Sequence, residues 1–141
     1  MKHANWLVVV TLVVLSGMAA AQFHSNTRIV AKVPFEFVVA DKVVPAGQYF
    51  VETATIDGDI LMIRNPGSKV SLFSTSSRTE GKQGATRYAL VFNRYGDRYF
   101  LAGVELAGST IAYRVTKSKA EAELEAENVS ATKETVLAYL K

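Results

Sequence analysis

The stretch NRYGDRYFLAGVELAG, residues 93–108, indicates how this chain folds. Glycine stands at position 96, where the first central residue of a two-residue type II′ hairpin turn requires a positive φ. A turn at Gly96-Asp97 predicts two cross-strand pairs, Tyr95 with Arg98 and Arg94 with Tyr99. Each pair places a guanidinium beside a ring on its own face of the sheet, and each pair contributes about 0.2–1 kcal/mol. The sequence therefore predicts a β-hairpin with residues 96 and 97 at its tip.

Short runs of β-branched and aromatic residues continue along most of the chain. From Thr27 onward Gly, Pro and Asp interrupt them every 8 to 12 residues or so, which is typical of an all-β domain. The predicted strands are 28–39, 48–56, 59–65, 69–75, 86–95, 98–107 and 110–116. Two-residue turns are predicted at Asp57-Gly58 and at Gly108-Ser109, and residues 74–87 are predicted to form a mobile surface loop or a frayed hairpin. We expect a mainly β fold, either an antiparallel β-sandwich or a partly closed barrel of about seven to eight strands.

The second of these turns assigns side chains to the two faces of the sheet. It places Val104 opposite Tyr113 and Ala102 opposite Val115, and these residues form the predicted core face. The opposite face is half apolar, since it carries Leu90, Phe92, Tyr99 and Leu101. A patch of this kind is expected to be covered by another element or to bind a partner.

The predicted cover is a short C-terminal helix over residues 117–127, KSKAEAELEAE. Ser118 and Glu121 have the spacing of a capping box, and alanine-rich helix formers follow them. We expect Leu124 to attach the helix to the sheet and its four glutamates to lie in solvent. The segment 134–140 is compatible with a last strand or a second helix, and its Thr, Val, Leu and Tyr content favours a strand.

The N-terminal residues predict export. Lys2 precedes an apolar run from Trp6 to Leu15, and the small residues Ala19 to Ala21 follow it, which is the pattern of a secretory signal peptide. The run is shorter than the roughly 20 apolar residues of a membrane span. We therefore predict a signal peptide over 1–21, cleavage after Ala21, a single domain over 22–141, and a periplasmic or extracellular location without a membrane span.

Composition argues against several classes of function. The chain has no cysteine and a formal net charge of only +3, which falls by one when Lys2 is removed. Thiol catalysis and cysteine-built zinc sites are thereby excluded, and nucleic-acid binding is not expected. After cleavage His24 is the only histidine, so a Ser-His-Asp triad or a histidine metal site lacks its central group. We predict no catalytic residue, no metal site and no cofactor.

Two groups of residues are functional candidates: three acids on the predicted strands and four residues at the predicted turn. The strand acids Glu36, Glu52 and Glu105 allow a carboxylate-based hydrolase, although their alternation with apolar neighbours favours a solvated sheet face. The candidate interaction surface consists of the four residues that flank the predicted turn: Arg94, Tyr95, Arg98 and Tyr99. Tyrosine and arginine are enriched at binding hot spots, but strands also favour tyrosine.

The segment 64–98 is mildly basic, with seven Lys or Arg residues, among them Arg64 and Lys69, against Glu80 and Asp97. Such a segment can bind an anionic envelope polymer or a protein partner. It can equally be a strand edge that basic residues protect from aggregation. The sequence leaves both interpretations open, and it leaves the oligomeric state open.

Three motifs together resemble an uncharacterised family of small exported β proteins of the acidobacterial type. They are VPFEF at 33–37, PAGQY at 45–49 and RYGDRYFL at 94–101, and the likeness covers roughly Val30 to Glu127. The resemblance implies a β fold and export, and it implies no catalytic residue. Members of that family often carry tryptophan near the position of Glu105, where this chain departs from the pattern.

The leading hypothesis is an exported, non-catalytic β domain that serves as a structural or interaction module of the cell envelope or exterior. The alternative is a carrier that holds a small apolar ligand inside the barrel, because several strands are apolar on both faces. A carboxylate-based hydrolase is the third hypothesis.

Overall fold

The computed structural model describes residues 27–141, which form ten β-strands and one α-helix. The strands are β1 Arg28–Val33, β2 Phe37–Val39, β3 Lys42–Val44, β4 Gly47–Thr53, β5 Ile60–Asn65, β6 Val70–Glu80, β7 Tyr88–Tyr95, β8 Arg98–Glu105, β9 Ile111–Val115 and β10 Thr132–Leu140. The helix, α1, spans Lys119–Ala126, and a 3-10 turn spans Pro66–Ser68. The mainly β prediction with one C-terminal helix is confirmed. The predicted signal peptide, 1–21, lies outside the described residues.

Eight strands form a closed antiparallel barrel in the order β8, β7, β10, β1, β4, β5, β6 and β9, and pairing of β9 with β8 completes the ring. The segment 134–140, for which the sequence favours a strand, belongs to β10. This last strand lies between β7 and the first strand, β1. We call the end where β1 and β7 finish the upper end. The opposite end, where β1 begins, is the lower end.

Alternate residues of the barrel strands point inward and form one contiguous apolar cluster. Tyr49, Ile63 and Phe92 in this cluster are almost completely inaccessible to solvent. The ring of Phe37 makes edge contacts with those of Tyr49 and Phe92, at centroid distances of 5.0 and 5.1 Å. Aromatic side chains thus connect the barrel wall to the segment that crosses the upper end.

That segment is the hairpin of β2 and β3, which corrects the prediction of one strand over 28–39. β1 ends at Val33 because Pro34 has no N–H to donate to a ladder. The chain then crosses the upper end, and β2 pairs in parallel with β8 through Val38 and Phe100. β2 and β3 are joined by Ala40 and Asp41, whose φ angles of 50° and 60° fit a type I′ turn.

This turn supports a prediction about stability. Replacing Ala40 by glycine should raise the free energy of unfolding by about 0.5 kcal/mol, since alanine is strained at positive φ and glycine is not. The same change at Ala46, which has no positive φ, should lower it by about 0.5–1 kcal/mol through added entropy of the unfolded chain. Urea denaturation of both variants tests this, and destabilisation by Ala40→Gly would contradict it.

The hairpin of residues 93–108 has the predicted tip and an unpredicted irregularity. Tyr95 pairs with Arg98, and Gly96 has a φ of 65°. Val104 lies opposite Tyr113 as predicted. However, β7 pairs Phe92 with Leu101 and Val91 with Gly103, so that Ala102 forms a β-bulge. The bulge turns Leu101 into the same core cluster as Val104, Leu90 and Phe92, and the predicted division of faces is wrong here.

Two connections also differ from the predictions. Residues 74–80 belong to β6 and pair with β5 and β9, so the loop predicted over 74–87 is confined to 81–87. The connection between β4 and β5 is longer than a two-residue turn at Asp57-Gly58. There the hydroxyl of Thr55 accepts hydrogen bonds from the N–H groups of Asp59 and Ile60 and thereby closes the loop.

Candidate functional site

The four residues predicted as an interaction surface are divided between the two faces of the β7–β8 hairpin. Arg94 and Tyr99 share one face, with the guanidinium carbon 5.5 Å from the ring centroid. Arg94 also donates a hydrogen bond to the carbonyl of Gly96 at 2.7 Å and lies 3.5 Å from the Glu134 carboxylate. Tyr99 stacks on Phe35 at a centroid distance of 3.8 Å. These contacts fix both side chains at the upper end of the barrel.

The other two residues face outward, where α1 covers one of them. Tyr95 is only 4% exposed and contacts the ring of Phe100 edge-on, at a centroid distance of 5.5 Å. The guanidinium carbon of Arg98 lies 5.2 Å from the Phe100 centroid and remains exposed. Of the predicted set, the two arginines are exposed, Tyr99 is half-buried and Tyr95 is buried, so the four residues do not form one continuous surface.

The helix covers Tyr95 through Glu121, which the sequence predicts only as a capping-box residue and not as a contact with the sheet. Glu121 is 1% exposed, and its Oε1 accepts hydrogen bonds from the Asn93 side-chain amide at 2.7 Å and from the Tyr95 hydroxyl at 3.1 Å. Ser118 accepts a hydrogen bond from the Glu121 N–H, which is one half of the predicted capping box. The Glu121 side chain turns to the sheet, so the prediction that all four glutamates lie in solvent is wrong for this one.

The position of Tyr95 predicts a pH dependence. Burial and the Glu121 carboxylate raise the pKa of Tyr95 from about 10 to about 12. The folded protein thus favours the neutral phenol. The contribution of this preference to the free energy of unfolding is fully present below pH 10 and is lost as the pH rises from 10 to 12. At about 1.4 kcal/mol per unit, the loss totals about 2–3 kcal/mol.

Denaturation of the wild-type protein and of Tyr95→Phe between about pH 8 and pH 12 measures this effect. The wild type should lose stability more steeply above pH 10, because only it carries the phenol. Burial also raises the pKa of Tyr49, but that residue is common to both proteins and cancels in the difference. Parallel curves for the two proteins would contradict the prediction.

An outer groove of about 500 Å³ crosses β6, β9, β8 and β7 and ends at α1. Its floor is low because small residues occupy adjacent strands, with Gly103 beside Val91 and Ala112 beside Glu105. A Cβ atom at position 103 would lie 2.8 Å from the Tyr113 carbonyl oxygen. Glycine at this position thus permits the close approach of β8 and β9 beneath the groove.

Charges in the outer groove separate along the barrel axis. The acids Glu80 and Glu105 lie toward the lower end, whereas Arg114 and Lys133 lie at its middle and upper parts. Lys117 pairs with Glu125 of α1. Among the described residues, none of Glu80, Glu105, Arg114 and Lys133 has an oppositely charged group within 4.0 Å. The groove therefore presents acidic and basic side chains that are available to pair with a bound partner.

A smaller cleft of about 220 Å³ lies at the upper end beside the β7–β8 turn. Arg98 and Tyr99 of the predicted surface line it together with Glu36 and Asp97. Its aromatic wall is the stacked pair of Phe35 and Tyr99. Two of the four residues of the predicted interaction surface, Arg98 and Tyr99, thus border this cleft.

The structure does not bring the three candidate carboxylates together. Glu36 lines the upper cleft and Glu105 lines the outer groove. Glu52 is 7% exposed on the outer face of β4, where its oxygens lie 2.9 Å from Arg28 Nε and 3.7 Å from Arg64 Nη2. The three candidate carboxylates therefore lie in different surroundings and do not pair with one another as the two carboxylates of a glycosidase would.

Three further observations concern binding. Over residues 27–141 no set of three His, Cys, Asp or Glu side chains is arranged to bind a metal ion. No helix in this part of the chain combines the length and the apolar character of a membrane crossing. Comparisons with protein-family models, curated proteins and solved structures give no match.

Proposed function

We propose that this chain is an exported, non-catalytic interaction module of the cell envelope or exterior, and that the outer groove is its binding site. The observation that supports this proposal best is a set of charged side chains in a depression of about 500 Å³ that have no ion-pair partner within residues 27–141. Pockets of about 300–1,000 Å³ with a few convergent polar groups are typical of ligand sites. The separation of acids from bases favours a polar partner that carries both charges, such as a segment of protein or of a charged envelope polymer.

The separation of the candidate carboxylates supports a binding role rather than hydrolysis. The apolar cluster inside the barrel likewise supports a binding site on its outer surface rather than in its interior. Export is supported by the pattern of Lys2, the apolar run from Trp6 to Leu15 and the small residues that follow.

The proposal is tested by capture of envelope components on immobilised mature protein, Gln22–Lys141. The combined change Arg114→Ala and Lys133→Ala should reduce capture of a specific component about tenfold or more. The matched control is Lys82→Ala with Arg87→Ala, which removes two exposed basic residues from the loop 81–87 and should leave capture unchanged. Equal effects of both double variants would contradict a site in the groove.

The export and the non-catalytic role in this proposal are tested by two separate experiments. The N-terminus of protein recovered from the periplasm or the medium should be Gln22, and recovery of full-length protein from the cytoplasm alone would contradict export. Turnover of a glycoside, ester or peptide substrate that Glu105→Gln abolishes would contradict the non-catalytic assignment.

A further inference from the structure

The upper half of β6 has a free edge. β5 pairs with β6 along Val70–Thr75, whereas β9 pairs only with Ser76–Glu80. The last backbone contact of the segment after β9 is the hydrogen bond from the Thr116 N–H to the Thr75 carbonyl, at 3.0 Å. Beyond Thr116 this segment no longer follows β6. Among the described residues, no strand pairs with the edge of Val70–Thr75 that faces away from β5.

The hydrogen-bond pattern shows which backbone groups this free edge presents. In an antiparallel pair, alternate residues direct both their N–H and C=O groups to one neighbour. Ser76 donates to Asp59 on the β5 side, whereas Thr75 accepts from Thr116 on the opposite side. By this alternation Leu72 and Ser74 bond to β5, and Ser71 and Phe73 direct their N–H and C=O groups to the free edge.

Side chains beside the free edge favour a particular partner. Phe73 projects outward and is 61% exposed, which is unusual for a large aromatic residue. Lys69 precedes β6, and Arg64 lies directly across from Ser71 on β5. Arg64 contacts Glu52 only at 3.7 Å, and its Nε is buried without a hydrogen-bond partner. The free edge thus carries one exposed aromatic side chain, Phe73, and the basic side chains of Lys69 and Arg64 lie near it.

We infer that the free edge of β6 over Ser71–Phe73 binds an extended acidic peptide by strand addition. Main-chain hydrogen bonds from the free groups supply affinity in this mode, and alternate side chains supply specificity. A peptide with alternating acidic and apolar residues would place its carboxylates near Lys69 and Arg64. This site is separate from the outer groove and goes beyond the function proposed above.

A second copy of the chain is disfavoured as the occupant. Lys69 and Arg64 flank the edge, and residues 69–75 carry no acidic side chain that could pair with the same basic residues of a second copy. Basic residues beside an edge are a common protection against self-association.

The first test needs no ligand. In the mature protein, amide hydrogen exchange at Ser71 and Phe73 should be about tenfold or more faster than at Leu72 and Ser74. Ser71→Pro should leave folding largely intact, since the lost N–H makes no ladder bond, whereas Leu72→Pro should disrupt folding. Equal protection of all four amides would overturn the assignment of a free edge.

The second test uses a capped peptide of alternating glutamate and valine as the probe, with a lysine and valine peptide of equal length for comparison. Titration calorimetry should show tighter binding of the acidic probe, and Ser71→Pro and Lys69→Glu should each weaken it about tenfold or more. The control Lys32→Glu reverses an exposed charge on β1 and should have no effect. Absence of binding, or equal binding of both probes, would overturn the inference.

Two results would separate this inference from neighbouring possibilities. The combined change Arg114→Ala and Lys133→Ala in the outer groove should not alter binding of the acidic probe, and a loss of binding there would place the probe in the groove. Sedimentation should show a monomer with or without Ser71→Pro. A dimer that Ser71→Pro dissociates would show that a second copy occupies the edge, contrary to the inference.

Discussion

Replacement of Phe92 by alanine is expected to lower the free energy of unfolding by about 4 kcal/mol, the largest single loss that we predict. Truncation of a buried phenylalanine typically costs 3–5 kcal/mol or so, through lost burial and the cavity that remains. Phe92 is completely buried, and its ring makes edge contacts with those of Phe35 and Phe37 at 5.0 and 5.1 Å. The change therefore removes the contact between the barrel wall and the segment that closes the upper end.

The matched control is Phe73→Ala, which removes the same side chain from an exposed position of β6. It should cost less than about 1 kcal/mol, since only strand propensity and partial packing are lost. Urea denaturation of both variants, with fluorescence and circular dichroism as probes, gives the comparison. If Phe92→Ala cost no more than Phe73→Ala, the upper end would not be packed as the structure shows.

The sequence predicted those parts of the fold whose determinants are local. Glycine at 96 and at 108 supplies the positive φ that a tight turn needs, and alternation of apolar residues defines the strands on both sides. These signals are confined to a few consecutive residues. They were sufficient to place the tip of the β7–β8 hairpin and the pairing of Val104 with Tyr113.

The failures arose where local signals were ambiguous. Ala40 and Asp41 form a type I′ turn without glycine or asparagine, so the β2–β3 hairpin carried no recognisable turn signal. Residues 74–80 are polar and mostly small, yet pairing with β9 on one side and β5 on the other makes them a strand. At Ala102 both the regular and the bulged register were compatible with the composition, and packing of Leu101 and Val104 decided between them.

The candidate sites required knowledge of which strands are neighbours. The outer groove joins β6 and β9 to β8 and β7, and the free edge of β6 results from where β9 stops. Neither arrangement is contained in any single motif. At the β7–β8 turn, alternation sends Tyr95 and Tyr99 to opposite faces as the predicted pairing requires. The burial of Tyr95 depends on the position of α1, which the turn motif does not contain.

Glu121→Ala is the second large effect that we expect, with a loss of about 3 kcal/mol in the free energy of unfolding. The change leaves the Asn93 amide and the Tyr95 hydroxyl without their shared acceptor in a buried site. Hydrogen bonds to charged groups contribute about 1.5–3 kcal/mol each, and an unpaired buried donor is costly. Glu121→Gln keeps the shape and one acceptor oxygen, so it should cost about 1 kcal/mol.

The control for this prediction is Glu123→Ala, because Glu123 lies on the same helix and is exposed. Alanine has the higher helix propensity, so this change should alter stability by less than about 0.5 kcal/mol. Hydrogen exchange should show that Glu121→Ala also releases α1, with faster exchange at Ala122 and Glu127, whose N–H groups donate within the helix. Equal stability of the two variants would show that the buried carboxylate does not hold the helix against the barrel. The helix-side end of the outer groove would then lack the fixed wall on which the proposed binding site depends.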